Sequence, residues 1–146
     1  MQLRHDILVL VADGRKALFL RNEGDGVHPN LVVEHAEARI NPADHEQKTD
    51  GPGSVANMMA SPRSTVSQVD FHRLEEDRFA ADIAAMLKER ALANEFESLI
   101  IAAPPHTLGE LRKHYHVEVA DRLAGEIPKD LTGHPISEIE KALSAA

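Results

Sequence analysis

The chain has 146 residues, an apolar share of 42% and no cysteine, which fits one domain with its own core and excludes disulfides, thiolate metal sites and thiol nucleophiles. Sixteen Lys and Arg against 24 Asp and Glu leave a formal net charge of −8, so the long-range field repels polyanions and autonomous, non-specific nucleic-acid binding is not expected. With four Phe, one Tyr and no Trp, the interior must be built from aliphatic side chains.

The first apolar run, Ile7 to Ala12, is too short for a signal-peptide core or a membrane span, so the expected address is cytoplasmic, without membrane insertion. It reads as a strand. Asp13-Gly14 is a turn dipeptide and Ala17 to Leu20 resumes the apolar pattern, which predicts a hairpin. A second turn falls on Asn22 to Gly26, and a third strand runs from Leu31 to about Arg39.

From Ile40 to Asp70 no period survives, with Pro42, Pro52 and Pro62 interrupting the chain and Gly51-Pro52-Gly53 marking a mobile tip. Unstructured stretches beyond about 12 to 15 residues are uncommon in compact domains, so this one is either functional or disordered. Helical spacing then begins, with Asp70 expected as the N-cap and Phe71, Leu74, Phe79, Ile83, Leu87 and Ala91 on the inward stripe.

Leu99 to Ala103 is a continuous apolar run ended by Pro104-Pro105, as in a strand covered on both faces. Thr107 and Glu110 match a capping box, which predicts a helix with Leu108, Leu111, Tyr115, Val119 and Leu123 inward and a break near His116. A short strand near Glu126 to Asp130, a turn at Thr132-Gly133 and a last helix with Pro135 at its first position complete the reading.

The order βββ-α-β-α-β-α predicts one α/β domain over residues 1–146: a mixed sheet with a meander on one side, right-handed crossovers between the later strands, and a long loop at 40–70. In that topology the first, third, fourth and fifth strands finish at one edge of the sheet, where open α/β sheets bind ligands. The edge would gather Asp13, Lys16, Thr107, Lys129, Asp130, Thr132 and His134, with the backbone N–H groups near Thr107 holding an anion helped by Lys16 and Lys129. Plainer readings stand beside this one. Thr107 simply caps its helix, Lys129 and Asp130 form a surface ion pair, and Asp13 shapes a turn.

No catalytic centre is complete. There is no Gly-x-Ser-x-Gly elbow, phosphate loop or dinucleotide fingerprint, and the Leu99 to Ala103 strand carries no carboxylate. The best metal pairs, His114 with His116 and His72 with Glu75, lack a third ligand at ordinary spacing, so neither a metal nor another cofactor is expected.

The stretches Val9 to Ala17, Leu74 to Ala80, Ala103 to Arg112 and Lys129 to Pro135 resemble the bacterial host-attachment protein family, proteins required for attachment to host cells, and the similarity covers almost the whole chain. That family is in turn remotely similar to the middle domain of archaeal and eukaryotic class-I peptide release factors and of Pelota. The resemblance implies an RNase H-like five-stranded mixed sheet and a part in attachment to host cells; with no export signal and no complete catalytic centre in the sequence, the expected form of that part is a non-enzymatic intracellular binding domain that supports attachment indirectly. It implies as the alternative a translation-associated factor that approaches ribosome or tRNA through loop residues Gly51, Gly53, Arg63 and Ser64. In release factors the corresponding loop carries a Gly-Gly-Gln that promotes peptidyl-tRNA hydrolysis. This sequence has no Gly-Gly-Gln, so hydrolysis of that kind is not expected.

Overall fold

A segment apolar at every position is stable as a strand only when both sheet faces are covered, and two segments here meet that condition. In the computed structural model, which describes residues 1–40 and 62–146, β1 (Leu8–Ala12) is buried at all its positions. It pairs in parallel with the equally buried strand Leu99–Ala102, which we label β4 in chain order. Around this centre, β2 (Lys16–Asn22) lies antiparallel to β1 and β3 (Leu31–Ala38) antiparallel to β2, while β5 (Leu123–Ile127) runs parallel to β4. The sheet order is β3-β2-β1-β4-β5, the meander with parallel additions that the element order predicts.

Helices cover both faces. On one side α1 (Pro62–Leu92), α2 (Pro105–Lys113) and the single turn α3 (Val117–Ala120) seal a core of Leu8, Leu10, Phe19, Phe79, Ile83, Leu87, Ile101, Leu108, Leu111 and Val119. On the other, α4 (Ile136–Ala145) lays Ile139 and Leu143 on Val9, Val11, Leu20, Ile100 and Ala102. The break expected near His116 is present: His116 caps α3, its Nδ1 accepting the Glu118 N–H at 3.0 Å. Among the described residues no helix is long and apolar enough to cross a membrane.

Several boundaries differ from expectation for physical reasons. Helix α1 begins at Pro62, so Asp70 is not its cap; proline suits the first helical position, where its missing N–H costs nothing. Phe71 and Leu74, expected inward, are 37% and 47% exposed, and burial starts only at Phe79. The last strand runs from Leu123 to Ile127 rather than from Glu126 to Asp130, with Leu123 in the sheet rather than on a helix. Gly125 hid it, and a side chain at Gly125 would collide with that of Met1. Pro135 stands one residue before α4 as its N-cap.

Polar groups lock the end of the sheet where β1 begins. Asn22 is fully buried: its amide donates to Leu3 O at 2.7 Å and Arg4 O at 3.0 Å, and its oxygen accepts from Gly24 N at 3.0 Å and Asn30 N at 2.8 Å. One side chain thus holds the amino-terminal segment and the β2–β3 turn together. Beside it the β2–β3 ladder pairs Phe19 with His35 and Leu20 with Val33, leaving Glu34 as the extra residue of a β-bulge. Arg21 donates to both Glu34 carboxylate oxygens, at 3.2 and 3.3 Å, and Arg90 of α1 donates at 2.6 Å. At the far side of the sheet the Tyr115 hydroxyl donates to Glu126 at 2.9 Å. The Met1 ammonium donates to Ser144 O at 3.2 Å and to Ala146 O.

Candidate functional site

The parallel strands β1, β4 and β5 deliver their last residues to one edge of the sheet, and β3 ends there as well. What each connection places on that rim follows from its length. The β1–β2 turn has only three residues, so Asp13 Oδ1 stands in for a backbone acceptor, taking the N–H of Arg15 at 2.7 Å and of Lys16 at 2.6 Å. Its other oxygen points away from the turn and accepts the Thr132 hydroxyl at 2.9 Å. Asp13 is therefore a turn former and also the tie between the β1–β2 turn and the β5–α4 connection.

Thr132 has a second carboxylate at hand. Asp130 Oδ1 takes the Thr132 N–H at 3.0 Å and lies 2.6 Å from the same hydroxyl oxygen. One hydroxyl proton serves one acceptor at a time, so Asp13 and Asp130 compete for it. Asp130 is engaged by Thr132 rather than by Lys129, contrary to the plain ion-pair reading. Lys16, Lys129 and His134 are exposed along this rim.

Thr107 does not cap its helix. Helix α2 starts two residues earlier, at Pro105, with Pro104 as an N-cap that makes no side-chain bond, and Thr107 is buried in its first turn. Glu110 does not reach back as a capping box requires; Lys113 Nζ binds it at 2.7 Å. The expected anion site is weakened in turn. A carboxylate of the protein, Asp77, already stands beside the start of α2, its Oδ1 2.9 Å from His106 Nε2. Gly51 and Gly53 lie outside the described residues; Arg63 and Ser64 fall in the first turn of α1, with their side chains also outside them.

Next to the rim is a cleft of about 500 Å³ between the β1–β2 turn, the end of β3 and α1. Gly14, Arg15, Arg39, Ile40, Glu76 and Phe79 line it. Gly14 has no positive φ; a Cβ there would lie 2.7 Å from the Glu76 carboxyl carbon, so the missing side chain admits Glu76 to the turn. The Arg39 guanidinium sits 5.2 Å from the Phe79 ring centroid and 2.5 Å from Asp82. The cleft is thus lined by the Arg15 and Arg39 guanidinium groups, the Glu75 and Glu76 carboxylates and an aromatic face, with Glu75 bonded to Arg78 and Arg39 to Asp82.

A smaller cleft of about 260 Å³ lies at the opposite end, lined by Phe19, Glu34, His35, Met86, Arg90 and Glu95 among others. Burial pushes the Glu34 carboxyl up, yet the hydrogen bonds and charges of Arg21 and Arg90 outweigh it and hold the group below the usual carboxylate value. Arg90 also binds Glu95 at 3.0 Å and lies 5.4 Å from the Phe19 centroid. That cleft is a braced seam in which Glu34, His35, Arg90 and Glu95 already have partners.

The sequence did not single out Glu76, Asp77, His106 or Glu110 as a group. Only the spacing of His106 and Glu110, one helical turn apart, was visible; Asp77 arrives from 29 residues away. The metal pairs weighed from sequence are otherwise engaged, His116 in capping α3 and Glu75 with Arg78 at 2.9 Å.

No curated protein matches this chain. The family model described as bacterial archaeo-eukaryotic release factor family 12 matches residues 6–143, all five strands and all but the last two residues of α4. With the match spanning the whole sheet and the rim built on it, the chain belongs to bacterial archaeo-eukaryotic release factor family 12.

Proposed function

We propose that this protein is a non-hydrolytic binding domain of release-factor type that engages a component of the translation machinery through the rim at the carboxyl ends of its strands. The observation that carries the reading is the Thr132–Asp13 bond, which fastens the β5–α4 connection to the β1–β2 turn beside the cleft of about 500 Å³. Carboxyl ends of parallel strands are where such sheets take ligands, and family membership supplies the link to translation. The net charge of −8 opposes a grip on bare RNA. Recognition therefore runs through local groups, Lys16, Lys129 and the Arg39–Phe79 pair, together with residues that follow Ile40 in the sequence. The absence of Gly-Gly-Gln from the sequence supports binding rather than peptidyl-tRNA hydrolysis. A part in attachment to host cells, the finer role that the resemblance implies, would then be indirect, and none of these observations favours it.

Ribosome co-sedimentation tests the proposal. The protein should pellet with ribosomes at low salt and stay in the supernatant when residues 45–60 are deleted, a cut that leaves α1 whole. Full-length protein that remains in the supernatant at low salt, with its fold intact by circular dichroism, would defeat the reading.

A further inference from the structure

We infer that Asp77, His106 and Glu110 form a binding site for a zinc-type divalent metal ion that joins α1 to α2. Each side chain offers one ligand atom, and these atoms all lie within 4.8 Å of one another, the only such set among the described residues. The placement is built in by the helices. His106 and Glu110, four residues apart, stand on the same face of α2, and Asp77 faces them from α1.

One imidazole stands between two carboxylates and is bonded to only one of them, Asp77. Two carboxylates and an imidazole converge with side chains 32% (Asp77), 39% (His106) and 13% (Glu110) exposed. Their nearest countercharge is Lys113, whose side chain is 66% exposed and which binds one oxygen of Glu110, leaving the other available. Arg78, the closest guanidinium in sequence, is bonded to Glu75 instead.

Donor chemistry sets the metal class. One imidazole nitrogen with two carboxylate oxygens suits zinc and its first-row neighbours; calcium seeks six to eight oxygens, and magnesium retains its waters. Tetrahedral ligands at roughly 2.0 to 2.2 Å from zinc are about 3.4 Å apart. The present His106–Asp77 separation is 2.9 Å, so the ion would replace that hydrogen bond with a small opening of the pair. His106 must then carry its proton on Nδ1 and present Nε2 to the metal. Three protein ligands leave a fourth position open to water, as in exchangeable rather than sealed sites.

The inference stands apart from the translation reading, since its readout is metal alone. Titration calorimetry of the full chain with zinc chloride should show one saturable equivalent. His106→Gln and Glu110→Gln should each weaken it by more than the roughly 10- to 100-fold typical of an outer-shell partner, while His114→Gln changes nothing. Histidine 15N–1H spectra of the unaltered protein provide a check that needs no variant: zinc should shift the His106 ring signals and leave those of His114 in place. No saturable binding, or equal losses in the His106 and His114 variants, would overturn the assignment.

Discussion

Where β1 begins, Asn22, Arg21, Glu34, Arg90 and Glu95 direct their hydrogen bonds to one another and to the backbone; where β1 finishes, Asp13 and Asp130 compete for a single threonine proton beside an open cleft. The two ends use similar residue types for opposite purposes. At the first, Glu34 Oε1 and Asn22 Oδ1 each take two donors, so no donor is left over and the reward is rigidity. At the second, acceptors outnumber protons around Thr132, so the arrangement can respond to an incoming donor or cation. Substitutions at the first end should therefore act on stability, and those at the second on binding.

Asn22→Ala should show the largest effect. It orphans the Gly24 and Asn30 N–H groups and the Leu3 carbonyl in a buried position, which costs about 3 kcal/mol in urea unfolding at roughly 1 to 3 kcal/mol per stranded group after partial relaxation. A cost under about 0.5 kcal/mol would show that water takes over these bonds and that the end is not locked.

Glu34→Gln comes next, at about 1 kcal/mol near neutrality, a value discounted because the Glu34 side chain is 35% exposed. The sign with pH is fixed by the lowered carboxyl: its contribution is complete above the ordinary glutamate value of about 4.3 and is lost as pH falls through the folded-state value. Stability curves of the variant and the unaltered protein should thus converge in acid. A gap that persists below that range would assign the effect to packing.

The smallest stability effect is expected at the rim, where Thr132→Val keeps the shape of the side chain and removes the shared proton, changing stability by no more than about 1 kcal/mol. Ribosome association should nonetheless fall several-fold in the sedimentation assay. If stability drops as far as in Asn22→Ala while association is unchanged, the two ends are not different in kind.

The central strands were legible because Leu8–Ala12 and Leu99–Ala102 are apolar throughout, a pattern that only a doubly covered strand satisfies. The parallel run of β1, β4 and β5, which follows from the element order, puts Asp13 and Thr132 on one rim, 119 residues apart in the chain. Helix α1 was read nine residues short because the hydrophobic period that marks it begins only at Phe71, whereas the helix begins at Pro62. Thr107 was misassigned because Pro105 starts α2 ahead of a capping pattern that is never used. Asn22 looked like one more turn residue; its role comes from five bonds to segments before and after it that local pattern does not reveal. The Asp77, His106 and Glu110 set was hidden for the same reason, since half of its geometry depends on how two helices pack.

The bulge at Glu34 has a further consequence for how molecules of this protein meet. Strand β3 is outermost in the sheet, and a straight, apolar outer strand invites neighbouring chains to add themselves ladder upon ladder. The extra residue disturbs the hydrogen-bond spacing and sets charge along that border, so the feature that anchors the two arginines also works against fibre growth. Shortening the strand by that one residue would straighten its border and release both arginines.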